Sequence, residues 1–252
     1  MFTPDQFVAH RGYRAHYPEN TLTAFTAAIK AGARHIELDL QFSRDGVPMV
    51  YHDVSLQRVS GREGNIFDFT ADELENFFAY EPNRLGSTFR GVPISRAEEL
   101  AHLIHIKKDI HFYLEVKEES LDNFGADFCL EALHRIFLPV MSQCTLISFD
   151  HAAMKLAKSL FLEGKDGFSS TGIVLRDWQN RNATIRENLA DIAYINIKRI
   201  PNDEPIVANC PIVTYEIDDV SLAAQTLRRG ASMIETFDIG ELIGALCKTD
   251  MM

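Results

Sequence analysis

The chain has 252 residues, 46% of them apolar and 24% charged, the profile of a globular protein large enough to bury a core without disulfides. Its 36 acidic and 25 basic side chains give a net charge of −11. That balance argues against nucleic acids and anionic membrane surfaces, both of which are held through clustered Lys and Arg.

Taken in chain order, the first element is the short apolar run Phe7–His10. A helical pattern follows over 21–31, with Asn20 or Thr21 as N-cap and Gly32 as the stop. In 35–41, Ile36, Leu38 and Leu40 alternate with Glu37, Asp39 and Gln41, so apolar and polar side chains face opposite ways on one strand. Asp45-Gly46 is a hairpin turn into a strand over 47–51. Between His52 and Pro93 no strand–helix unit is readable. Structureless stretches of that length are uncommon in compact domains and usually functional, so we expect an insertion, roughly 54–93, over the mouth of the fold.

Beyond it the spacing predicts a helix at 95–106, a strand at 111–116, a helix at 123–137 and a strand at 145–148 with a helix from Ala152. Further strands are expected at 173–175, 194–197, 212–215 and 233–235, and helices at 185–190, 221–229 and 239–247. About eight buried strands alternating with helices imply a parallel sheet with crossover helices in a single domain, 1–252. The length and strand count fit a closed barrel; periodicity leaves an open doubly wound sheet as the alternative.

Glu37 and Asp39, two apart on a strand, project from one face. Like charges that close are costly unless a cation sits between them, and hard oxygen donors suit Mg²⁺ or Ca²⁺. The pair also fits a solvated edge strand. Glu115 and Lys117 likewise share a face, as a cation ligand beside a phosphate-binding ammonium or as a surface ion pair. His10 and His52 each end a strand, and imidazole both takes and gives protons near neutrality. Cleaving a P–O bond needs both services, so the two histidines suit a divided role. His35, His102, His105 and His151 read as hydrogen-bonded structural residues. Arg11 offers a planar donor fork for phosphate, and Gly12 lets the backbone turn tightly beside it.

In order, Val8-Ala9-His10-Arg11-Gly12, Pro18-Glu19-Asn20-Thr21, Glu37-Leu38-Asp39, Asp45-Gly46 and His52-Asp53 resemble the signature of the glycerophosphodiester phosphodiesterase family. Leu56, Arg58, Val92-Pro93-Ile94, Glu99-Leu100, Leu114-Glu115-Val116-Lys117 and Ser148-Phe149-Asp150 add weaker matches. The resemblance is dense over residues 8–58, patchy to 150 and thin beyond. It implies a TIM (β/α)8 barrel with a small inserted subdomain after the second strand. It implies His10 and His52 as general acid and base, Glu37, Asp39 and Glu115 as ligands of one divalent cation, Mg²⁺ or Ca²⁺, and Arg11 and Lys117 as phosphate contacts.

The implied reaction is hydrolysis of glycerophosphodiesters to glycerol 3-phosphate and an alcohol. Two other readings stand beside it. One is a lysophospholipid or sphingomyelin phosphodiesterase on the same barrel, with Phe67, Phe69, Phe77, Phe78, Tyr80 and Phe89 contacting acyl chains rather than forming the insertion's own core. The other is a barrel that binds a phosphorylated metabolite without turnover. The chain departs from the family pattern at Val213-Thr214-Tyr215-Glu216-Ile217-Asp218, on the seventh strand, and at Thr236-Phe237-Asp238-Ile239, after the eighth.

Cys129, Cys144, Cys210 and Cys247 lack zinc spacing and read as free thiols of a reducing compartment. No run approaches the ~18 apolar residues of a membrane span, and residues 1–5 lack the basic flank and apolar run of a signal peptide. A small-molecule substrate, no nucleic acid, no membrane insertion and a cytoplasmic location are the expectations.

Overall fold

The alternation read in the strands becomes a two-sided burial. Ile36, Leu38 and Leu40 join the apolar layer between strands and helices, where burying each side chain contributes about 1.5–3 kcal/mol. Val8, Tyr113, Ile147, Val174, Tyr194, Val213 and Met233 instead meet inside the sheet. The computed structural model describes residues 2–247; the outer ends of the expected domain, residues 1 and 248–252, lie outside them.

The strands are β1 (Phe7–His10), β2 (His35–Phe42), β3 (Pro48–Val50), β4 (His111–Val116), β5 (Cys144–Ser148), β6 (Thr171–Leu175), β7 (Ile192–Asn196), β8 (Ile212–Tyr215) and β9 (Met233–Thr236). They run in the order β1-β9-β8-β7-β6-β5-β4-β2-β3, and β1 also pairs with β2. That pairing closes eight parallel strands into a TIM barrel. β3 pairs antiparallel with β2 and stands outside the ring. The barrel thus leaves no edge but the one that β3 covers.

The helices are α1 (Leu22–Lys30), α2 (Gln57–Ser60), α3 (Ala71–Leu74), α4 (Pro82–Leu85), α5 (Ala97–Ile106), α6 (Glu118–Phe124), α7 (Ala126–Phe137), α8 (His151–Leu162), α9 (Arg181–Glu187), α10 (Val220–Arg228) and α11 (Ile239–Leu246). Thr21, not Asn20, caps α1, its side chain accepting from Ala24 N. The single helix expected at 123–137 is two, broken at Gly125, whose φ of 86° lies outside the helical region. The structure also shifts the helix expected at 185–190 to α9, where only Ile185 is buried.

The stretch after β3 is not structureless. It carries α2, α3 and α4 around a second core of Met49, Tyr51, Leu56, Val59, Ile66, Ala71, Leu74, Phe77, Ala79 and Ile94. Phe67 and Phe69 pack against this core, while Phe78 is exposed. The elements are too short and irregular in period to be read from sequence. No helix among the described residues is long and apolar enough to cross a membrane. The four cysteines are free, three of them buried.

Candidate active site

Inward-facing residues near the C-terminal ends of β1, β2 and β4 build the site. Register places His10 beside Glu37 and Asp39 beside Glu115. Since alternate residues of a strand share a face, His10, Glu37, Asp39, Glu115 and Lys117 turn away from the helices. Oxygens of Glu37, Asp39 and Glu115 lie within 4.8 Å of one another, and those of Glu37 and Glu235 within 4.8 Å of a His10 nitrogen. His10, Glu37, Glu115 and Glu235 border a cavity of about 180 Å³ lined also by His52, Arg11, Lys117, Ile147, Phe149, Tyr194, Tyr215 and Glu216. The structure therefore brings together all seven residues singled out in the sequence.

The turn after β1 sets Arg11. Its φ of 57° is left-handed, a conformation costing a non-glycine residue about 1–2 kcal/mol. Gly12 follows at φ 80°, so close to α1 that a Cβ there would meet Ala24 at 2.8 Å. The turn is held by Arg11 N–H donating to Glu37 Oε2 at 3.2 Å. The Arg11 guanidinium then lies 3.1 Å from Asp39 Oδ2 and donates to Glu19 Oε1 at 2.9 Å. Burial opposes its charge, but Asp39, Glu19 and Glu37 raise its pKa further above the usual arginine value.

Lys117 is likewise paired, 2.6 Å from Glu115 Oε1 and 3.4 Å from Asp39 Oδ1. Burial works against the charged form, and these two carboxylates outweigh it and raise the lysine pKa. Asp39 is pulled well below the carboxylate range: burial opposes the shift, but His52, Arg11, Lys117 and the Asn20 amide stabilise the anion. Asn20 clasps it twice, donating from Nδ2 to Oδ2 at 2.8 Å and accepting Asp39 N–H at 3.1 Å. Glu37 and Glu115 move the other way, raised first by burial and then, for Glu37, by Asp39. Glu37 Oε1 is buried without a hydrogen-bond partner.

His52 follows β3 rather than a barrel strand, and Gln41 Nε2 donates to its carbonyl at 3.1 Å. Its Nδ1 lies 2.6 Å from Asp53 Oδ1 and its Nε2 4.0 Å from Asp39 Oδ1. His10 is buried, its Nε2 3.7 Å from Glu37 Oε2 and its Nδ1 3.8 Å from Glu235 Oε2. Burial, then the charge of Arg11, holds its pKa well below the histidine norm. Phe237 stacks on the ring at 4.5 Å and 10°. Of the histidines read as structural, His151 lies 2.9 Å from Val174 O and His35 approaches the Tyr113 hydroxyl. His102 and His105 are exposed on α5 rather than hydrogen-bonded.

Sequence reasoning assigned no role to Glu19, Asp53, Arg58 or Glu235. Glu19, 1% exposed, accepts from Arg11, Arg14 and Arg58, while Arg58 also grips Asp53. The signal for Glu235 was available: it is the acid in an apolar strand, on the same face as Met233. Tyr215, Glu216 and Phe237, from the divergent stretches, border the cavity or its histidine.

The chain is similar over 152 residues to a glycerophosphodiester phosphodiesterase of Bacillus altitudinis, at 36% identity, covering 60% of this chain and 61% of that one. A relative of the same name from Caldanaerobacter subterraneus is 38% identical over 110 residues, 44% of either chain. The chain thus spans about half the length of the curated relatives it matches. An Oleispira antarctica phosphodiesterase, solved in complex with the product sn-glycerol-3-phosphate, shares the fold with a TM-score of 0.82 at 20% identity, over 96% of this chain and 97% of that one. A glycerophosphodiester phosphodiesterase from Agrobacterium tumefaciens does so at 0.76 and 22%, over 95% and 99%. The model of the glycerophosphoryl diester phosphodiesterase family matches residues 10–160, and the chain belongs to that family.

Proposed function

We propose that this chain is a divalent-cation-dependent glycerophosphodiester phosphodiesterase that releases glycerol 3-phosphate and an alcohol. The observation that carries the reading is the meeting of Glu37, Asp39 and Glu115 beneath two imidazoles at one mouth of the barrel. The trio fits a hard cation: all donors are carboxylate oxygens, and buried Glu37 Oε1 has no hydrogen-bond partner. An Mg²⁺ or Ca²⁺ ion held there would polarise the phosphoryl group and neutralise charge that develops on it.

The protein's own groups do the rest. Arg11 and Lys117 hold phosphate oxygens with the N–H groups that their carboxylate partners leave free. His10, kept neutral by burial, takes a proton from the attacking hydroxyl of water or of the neighbouring glycerol carbon. His52, with a carboxylate near each ring nitrogen, delivers a proton to the departing alcohol oxygen. Residues 54–93 form an inserted subdomain of a single barrel domain that reaches the site's surroundings through Arg58, which grips Asp53 beside His52 and the buried Glu19. Because Phe77 lies in the insertion's own core and Phe67 and Phe69 pack against it, a water-soluble diester suits the site better than an acyl chain.

Release of glycerol phosphate from glycerophosphocholine, measured with Mg²⁺ or Ca²⁺ and again in EDTA, tests the reading. Turnover that EDTA abolishes and either ion restores is the expected result. No product with either ion, or an undiminished rate in EDTA, refutes it.

A further inference from the structure

The two imidazoles stand in matching surroundings. Each has one nitrogen turned to a member of the cation-binding trio, Nε2 of His52 toward Asp39 and Nε2 of His10 toward Glu37. Each has its Nδ1 turned to a carboxyl outside the trio. For His52 that is Asp53 at 2.6 Å; for His10 it is Glu235 at 3.8 Å.

Glu235 is costly where it stands. It lies 3% exposed near the end of β9, on the inner face of the barrel with Val8, Val213 and Met233. Its Oε1 has no hydrogen-bond partner, and neither has His10 Nδ1. A buried carboxyl without partners is disfavoured, and an apolar side chain would fill such a floor at less cost. Burial, then Glu115, raises its pKa, yet a carboxyl oxygen accepts a hydrogen bond in either charge state. The groups around it include the Tyr113, Tyr194 and Tyr215 rings, Glu216 and Arg11. None of these supplies a hydrogen bond to Oε1. The ring facing it is meanwhile held in one plane, stacked on Phe237, whose ring in turn carries the Arg14 guanidinium at 4.2 Å.

We propose that Glu235 is a positioning residue for His10: it accepts the Nδ1–H hydrogen bond and so holds the tautomer whose Nε2 lone pair faces the phosphoryl site. A closure of roughly 0.9 Å brings the pair to the ~2.9 Å of an N–H···O bond. Catalytic hydrogen bonds commonly tighten in this way once substrate is in place. His52 and Asp53 form the second such dyad, already closed. The proposal rests on His10 as a proton-transfer group.

The test uses the Mg²⁺-loaded protein and glycerophosphocholine. Glu235→Leu lowers kcat by about 10–100-fold while KM stays within about threefold, the scale seen when a histidine loses its orienting partner. Glu235→Asp, which keeps an acceptor, recovers at least about tenfold over the leucine variant. Nitrogen-15 histidine spectra, with glycerol phosphate bound, show the Nδ1–H tautomer of His10 in the wild type and a shift toward Nε2–H in Glu235→Leu. If the leucine variant fails to fold by circular dichroism, Glu235→Met, unbranched and adaptable, carries the same measurements.

An apolar variant with kcat within twofold of wild type overturns the proposal. So does a loss of activity matched by a loss of Mg²⁺ affinity with the His10 tautomer unchanged. His10→Ala runs in parallel: normal turnover there sinks the proton-transfer reading itself, whereas an inactive His10→Ala beside an active Glu235→Leu sinks the Glu235 proposal alone.

Discussion

Replacing Glu19 with glutamine removes one charge from the most connected carboxylate near the site. Its oxygens receive Arg11 Nη1 at 2.9 Å, Arg14 Nε at 2.6 Å, Arg58 Nη1 at 2.8 Å and Arg58 Nη2 at 2.6 Å. The glutamine keeps the shape but leaves three guanidiniums facing a neutral amide. Breaking a buried ion pair costs about 3–5 kcal/mol. Here Arg11 is 12% exposed but Arg14 is 25% and Arg58 39%, so water takes up part of the loss and the lower end, ~3 kcal/mol, is the expected value. For a chain of this size that is a fall in Tm of about 6–12 °C.

The pH dependence gives a second check. Burial opposes ionisation of Glu19, but hydrogen bonds and charge from Arg58, Arg11 and Arg14 hold its pKa well below the ordinary 4.5. A depressed carboxylate stabilises the fold fully above its unfolded value and loses that contribution as pH falls through the folded one. The difference between wild type and Glu19→Gln is therefore expected at pH 7 and should shrink below about pH 4.5. Urea unfolding at pH 7, 5 and 3 measures it. A difference under ~1 kcal/mol at pH 7, or one that grows on acidification, refutes the reasoning.

The other expectations concern the site and its turn. His10→Ala and His52→Ala each lower kcat by ~100-fold or more, read from glycerol phosphate release, if the pair transfers protons. Glu115→Gln weakens Mg²⁺ or Ca²⁺ binding by at least ~10-fold in titration calorimetry, and wild-type affinity in that variant removes Glu115 from the ligand set. Gly12→Ala lowers stability by about 1–3 kcal/mol from its positive φ, and further because the new Cβ meets α1 backbone; thermal unfolding that matches wild type argues against the strain.

The barrel and much of its site were legible because both rest on period-two patterning. Alternation in β2 put Glu37 and Asp39 on one face and Ile36, Leu38 and Leu40 on the other, whatever the fold around them. The same rule joined Glu115 to Lys117. The insertion was legible only as an interruption, since helices of four residues carry no period. The break at Gly125 escaped because an isolated glycine is tolerated within a helical pattern.

Amino-acid order alone therefore determined which side chains share a face, where the tight turn at Arg11 and Gly12 falls, and the βα alternation that calls for a parallel sheet. Only tertiary structure decided that β9 returns beside β1, setting Glu235 against His10 across 225 positions of chain. Only there, too, does the insertion fold back so that Arg58 reaches Glu19. Local sequence fixes a side chain's direction, but closure of the ring fixes its neighbour, and the energy of a buried charge depends on that neighbour.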